Sequence, residues 1–160
     1  SALHDDLGRR GAVLLVKGLN RIARGTAVFH EQDHGAATYC RKITKDDGRI
    51  DWKNSSTELD RMVRAFTPWP GARCDWGGTT LQLTAAAAVS GGTDNNGGVV
   101  PSEGAGQPGT VVGVDNRSGI LVQTGDGLLA VSRLKPETRK EIDFVSFLNG
   151  NQGFIGTVLK

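Results

Sequence analysis

Long hydrophobic runs, paired cysteines and clustered histidines are what these 160 residues have little of. The longest apolar stretches, around residues 12–16 and 85–89, fall far short of the roughly 20 residues a membrane helix needs, so no membrane span is expected. Cys40 and Cys74 stand in neither a C-x-x-C nor a metal-ligand spacing, and nothing in the opening residues resembles a secretory leader. A reduced, cytoplasmic, monomeric protein with two free thiols is the expectation. His4, His30 and His34 are the only histidines, and no predicted helix puts His30 and His34 on one face, so no metal site is expected. No G-x-S-x-G elbow couples a serine to a histidine and an acid, and Cys40, beside Arg41 and Lys42, has no partner base. The glycine-rich "SGGTDNNGG" has neither the Lys-Ser/Thr of a phosphate loop nor the strand-to-helix order of a dinucleotide fingerprint. No catalytic residue is therefore assigned. A formal net charge of +2 does not announce a nucleic-acid partner either, which leaves the distribution of charge to decide.

What is present begins with "SALHDDLGRRGAVLLVKGLNRIARG", where Leu3, Leu7, Leu14, Leu15, Leu19 and Ile22 recur near a 3.6-residue period and Gly25 ends the pattern. Residues 1–25 read as one helix whose wide apolar face has no neighbour in sequence to cover it, because the following residues are mostly polar. Residues 26–53 show no sustained period and carry turn signals at His34-Gly35 and through "DDGR". They read as an extended linker, ordered toward Ile50 and Trp52. In "NSSTELDRMVRAF", Ser55 and Glu58 have capping-box spacing, Leu59, Met62, Val63 and Phe66 form one face, and Asp60 and Arg64 stand four apart outside. Pro68 and Pro70 end this helix after Phe66 and fix Trp69 between them, which predicts a tryptophan plugged against the following domain.

Downstream, "TLQLT", "GTVVGV", "GILVQT" and "LLAVSRL" are short β-rich runs, the last three separated by hairpin-length turns. Residues 90–108 read as a loop, and "EIDFVSFLNG" as a short terminal helix. The expected fold is mainly β with flanking helices: residues 54–160 form a small OB-fold-like barrel, preceded by the linker and the N-terminal helix.

Basic residues collect in two places. Arg41, Lys42, Lys45, Arg49 and Lys53 crowd the linker, while Arg133, Lys135, Arg139 and Lys140 crowd the exit of the last strand. Brought together, they would make a positive track suited to a phosphate backbone. Strands within 109–134 carry no aromatic residue on which a base could stack, which counts against a stand-alone single-stranded nucleic-acid binder of OB type.

The stretch "ATYCRKITKDDGRIDWKNSSTELDRMVRAFTPWPGA" resembles the junction of methionyl-tRNA formyltransferases, with further likeness through "PGTV", "TGDGLLAVSRLKPETRK" and "DFVSFLNG". The opening helix is similar to the one that closes that family's catalytic domain. The resemblance implies formyl transfer from 10-formyltetrahydrofolate in an N-terminal domain whose motifs do not occur here. It also implies a C-terminal part that holds initiator methionyl-tRNA, with no cofactor bound by this portion. On that footing Lys42 and Lys45 match the family's linker lysines, and Arg139 and Lys140 its basic pair after the final strand. Three departures are visible. Thr138 stands where the family often has glycine, "TAAAA" replaces an aromatic and a lysine, and "NQGF" replaces a more basic stretch. Sugar-nucleotide formyltransferases share the two-domain plan and are the alternative, with a weaker match to the basic positions.

Overall fold

The computed structural model describes residues 2–89 and 106–160, so most of the 90–108 loop lies outside the described residues. The chain divides into two compact units, Ser1–Arg41 and Lys42–Lys160.

The first unit is helix α1, Ala2–Ala23, followed by extended chain and a single 3₁₀ turn at His34–Ala36. Neither Gly8 nor Gly11 interrupts the helix. Gly25 follows its end at φ 66°, the left-handed position where glycine meets no Cβ penalty. Within this unit Leu3, Leu7, Leu14, Leu15, Leu19 and Ile22 are exposed. No helix among the described residues is long and apolar enough to cross a membrane.

The second unit opens with a 3₁₀ turn at Asp46–Gly48 and helix α2, Ser56–Phe66. The capping box forms as the spacing predicts: the Ser55 hydroxyl accepts from the Glu58 amide at 3.3 Å, and the Glu58 carboxylate accepts from the Ser55 amide at 3.0 Å. That backbone hydrogen bond, with the one from the Ser55 hydroxyl, holds the Glu58 carboxyl below the usual carboxylate range. Leu59 and Val63 are buried, and on the opposite side Arg64 forks onto Asp60 at 3.0 and 3.1 Å. After Phe66 the chain turns extended at Thr67 (φ −83°, ψ 126°), where the following proline disfavours the helix.

The sheet has six strands: β1 Ala72–Trp76, β2 Thr79–Val89, β3 Val111–Asp115, β4 Gly119–Gln123, β5 Leu128–Pro136 and β6 Ile142–Asp143. Their order is β1-β2-β5-β4-β3, all antiparallel, with β6 also paired to β5. Helix α3, Phe144–Asn149, is N-capped by Asp143, whose carboxylate accepts from the Ser146 amide at 2.9 Å. One face of the sheet supplies Ala72, Cys74, Leu81, Leu83, Ile120, Val122, Leu129, Val131 and Leu134 to a core completed by Leu59, Val63, Phe147 and Phe154.

Two expectations need correction. The strands do not close into a barrel. β1 and β3 remain the two ends of the ladder, and residues 156–160 reach both through separate hydrogen bonds. The Thr157 carbonyl accepts from Val111 at 2.8 Å, and Lys160 and Asp75 exchange backbone bonds of 2.9 and 2.6 Å. Trp69 does not plug the domain: it is 57% exposed, and the neighbouring Pro70 is buried instead. The residues that do plug it are Ile50 and Trp52, both 4% exposed. The polar stretch before α2 is thus anchored in the core from residue 48 onward.

Candidate functional site

Strand β1 went unread in the sequence, and it decides where the cations stand. Its short run alternates Ala72 and Cys74 inward with Arg73 and Asp75 outward. Arg73 is paired with Gln82 of β2, and Gln82 with Lys135 of β5, while Arg49 forms a parallel bridge to Arg73. Directly paired residues share a face of a sheet. Arg49, Arg73, Gln82 and Lys135 therefore form one row across the outer surface, and the two basic clusters of the sequence meet through a residue that belongs to neither.

The row is held by specific contacts. The Arg73 carbonyl accepts from the Ile50 amide at 2.8 Å, and the Arg73 guanidinium donates to the Lys45 carbonyl, so one residue ties both ends of the 45–50 segment to β1. Asp75, next outward on β1, accepts from Arg49 at 3.1 Å and from the Thr80 hydroxyl at 3.2 Å, which fixes the Arg49 fork. Two surface depressions flank the row. The first, about 140 Å³, is lined by Lys45, Arg49, Arg73, Asp75 and Thr80 among others, and the second, about 220 Å³, by Arg73, Thr80, Gln82, Lys135, Glu137 and Thr138. They share Arg73 and Thr80. A third, about 370 Å³, shares Glu137 and Thr138 with the second and is lined by Arg139 and Trp76.

Not every expected cation joins this track. Arg133 is drawn onto Glu141, and this contact holds the Glu141 carboxyl below its ordinary range. Lys140 is exposed beyond the end of β5. Lys42 is exposed at the start of the second unit, and Arg41 is exposed in the first. Lys45, Arg49, Lys135 and Arg139 are the expected residues that the track brings together.

Thr138 occupies an unusual backbone position in the turn after β5. Its φ of 65° lies in the left-handed region, where a β-branched residue is disfavoured and glycine is not. The turn after β5 keeps a glycine-type geometry with a threonine in it.

The thiols behave differently. Cys74 is buried on the inner face of β1, and burial, aided by the neighbouring Asp75, pushes its thiol up to about 12, whereas Cys40 is exposed. A thiol reagent near pH 8 is expected to label one cysteine in the folded protein and two after denaturation. Two fast labels in the folded state would contradict the burial of Cys74.

Fold and surface together describe a β-sheet domain that presents a polar, cation-lined outer face. Residues 42–152 match the family described as formyl transferase, C-terminal domain, and the chain belongs to that family. It is 37% identical over 148 residues to the methionyl-tRNA formyltransferase of Chloroflexus aggregans, covering 92% of this chain and 44% of that protein. It is 34% identical over 160 residues to the enzyme of that name from Pseudomonas fluorescens, covering 99% and 46%. The chain thus spans less than half the length of these relatives. Among solved structures, HypX from Aquifex aeolicus in complex with tetrahydrofolic acid has the same fold, with a TM-score of 0.59 at 18% identity over 88% of this chain and 23% of that one.

Proposed function

We propose that this chain is the tRNA-binding part of a methionyl-tRNA formyltransferase. It would position initiator methionyl-tRNA for N-formylation by an N-terminal catalytic domain that uses 10-formyltetrahydrofolate. The observation that carries the reading is the row Arg49–Arg73–Gln82–Lys135, which joins cations from opposite ends of the sequence on one face. The names of the relatives supply the substrate class. Lys45, Arg49, Lys135 and Arg139 contact the sugar-phosphate backbone, which fixes register without reading sequence. Arg41, Lys42, Arg133 and Lys140 contribute longer-range attraction. The exposed leucines of α1 are the surface that would dock on the catalytic domain.

The double variant Lys45→Ala/Lys135→Ala takes one cation from each cluster and is expected to flatten the salt dependence of initiator-tRNA binding by roughly two units of logarithmic slope. Binding equal to the parent at every salt concentration rejects the track. For the substrate, the full-length parent is assayed with formyl donor and either methionyl-tRNA or an amino-sugar nucleotide. Product from the sugar nucleotide alone rejects the tRNA reading.

A further inference from the structure

We propose that Arg73, Gln82 and Lys135 form a seat for one phosphodiester of the RNA backbone, with Arg73 as its principal ligand; this assignment rests on the tRNA-binding reading above. The starting point is an imbalance of hydrogen-bond donors. A guanidinium carries five N–H groups. Arg73 gives one nitrogen to the Lys45 carbonyl, while its Nε is shielded from solvent and has no partner among the described residues. Buried polar atoms are nearly always satisfied, so an orphan donor in a half-buried arginine is a feature that requires an explanation. The same guanidinium has further N–H groups than its contact with Lys45 uses, and Arg73 lines the depression where a ligand oxygen can reach them.

The surroundings suit an anion of this class. Register places Gln82 between Arg73 and Lys135, so a cation stands on either side of an amide in adjacent strands. The depression there, at about 220 Å³, is open to solvent and well above the ~10–15 Å³ that one water needs, so it has room for a tetrahedral oxyanion. Two carboxylates are close, one of them committed to other partners and the other lining the depression itself. Asp75 already receives Arg49 and Thr80, and Glu137 is exposed at the rim of the turn after β5. The planar fork of Arg73 matches two oxygens of a phosphate, and Lys135 adds a point charge from the far side. Because the Lys45 carbonyl holds the fork, the arginine is oriented before the ligand arrives.

The sequence has no cluster at position 73 and gave no reason to single it out. The seat takes a phosphodiester and not a base: the groups that converge are a guanidinium, an ammonium and an amide, with no aromatic ring among the residues lining the depression.

Gln82→Glu tests the seat without touching either cation. The new carboxylate would stand between Arg73 and Lys135, a position that supports the fold and repels a phosphate. The 160-residue chain and its variants are titrated with initiator-tRNA transcript over about 50 to 200 mM salt, where one lost phosphate contact changes affinity by roughly fourfold. Gln82→Glu is expected to reduce the slope by about one unit while its thermal midpoint stays level or rises. Arg73→Met, which keeps the apolar stem, is expected to show the same loss of slope. If the parent binds with a steep salt dependence, Lys45→Ala/Lys135→Ala weakens it and Gln82→Glu binds as the parent does, the seat is overturned and the broader reading survives. If the parent shows no salt-dependent binding at all, both are overturned.

Discussion

Gly48→Ala is expected to leave the sheet folded and to cost the protein most of its affinity for tRNA. Gly48 is buried at the end of the 3₁₀ turn, and a Cβ placed there would stand 2.2 Å from the Gly71 carbonyl oxygen and 3.5 Å from the Pro70 Cβ. The carbonyl cannot yield easily. Gly71 lies between the end of α2 and the start of β1, and its amide donates to the Phe66 carbonyl at 2.9 Å. The segment that gives way is therefore 45–49, held to the sheet by the Arg73 fork and the Arg49–Asp75 pair and followed by Ile50, which is anchored by its buried side chain and its amide. Lifting it takes Arg49 from the row and Lys45 from the depression beside it. Overpacking of this kind costs about 1–3 kcal/mol, which is tolerable for a domain stabilised by roughly 5–15 kcal/mol. Two lost phosphate contacts change binding by roughly tenfold between 50 and 200 mM salt. Fluorescence anisotropy with labelled initiator tRNA and hydrogen exchange at the Ile50 amide check the two halves of this expectation. Parent-like affinity with that amide still protected would show that the glycine is not needed for the approach.

How far this site was legible in the sequence depends on the kind of signal each part emits. Helix α2 announced itself because its start is written in local chemistry, Ser55 with Glu58, and its end in Pro68. Strands β3, β4 and β5 were legible as β-branched runs between turns. Strand β1 was not. "ARCDW" contains only small or charged residues before its last position, and an alternation two residues deep is too short to register. The same holds for the far half of β2, where four alanines read equally well as helix or strand.

Trp69 misled for a different reason. Two flanking prolines fix the backbone but say nothing about which side chain turns inward, and here the buried member is Pro70. That the sheet stays open is not legible either, because residues 156–160 meet its two end strands through isolated long-range hydrogen bonds, which leave no periodic trace. The cations themselves were visible as clusters. Their convergence was not, because the residue that joins them sits alone on the unrecognised strand. Arg133 shows the converse: it belonged to a visible cluster, and Glu141, eight residues on, takes it.

Trp52→Ala is expected to produce the largest loss of stability, because this residue turns a polar stretch into part of the core. Trp52 is 4% exposed within the central cluster that also contains Val111 and Leu159. The backbone of Gly109 lies directly over it: a Cβ there would stand 3.2 Å from the indole Cδ1 and 2.5 Å from the Leu159 carbonyl oxygen. Gly109 in turn donates to the Gln123 carbonyl at 2.8 Å and accepts from the Leu159 amide at 2.9 Å. The indole thus fills the space where the segment before α2, the entry to β3 and the C-terminal residues meet. Truncating a buried tryptophan to alanine costs about 3–5 kcal/mol through lost transfer energy and the cavity left behind. For a domain of this size that corresponds to a fall of roughly 10–20 °C in the unfolding midpoint. The indole N–H has no partner among the described residues, so Trp52→Phe removes an unsatisfied donor along with part of the volume. The phenylalanine variant is therefore expected to lose much less than the alanine variant in urea unfolding followed by circular dichroism. Equal losses would mean that the indole nitrogen has a partner in solution. A loss near zero in both would mean that Trp52 does not hold the three segments together, and that Lys53 and Arg49 on either side of it owe their positions to something else.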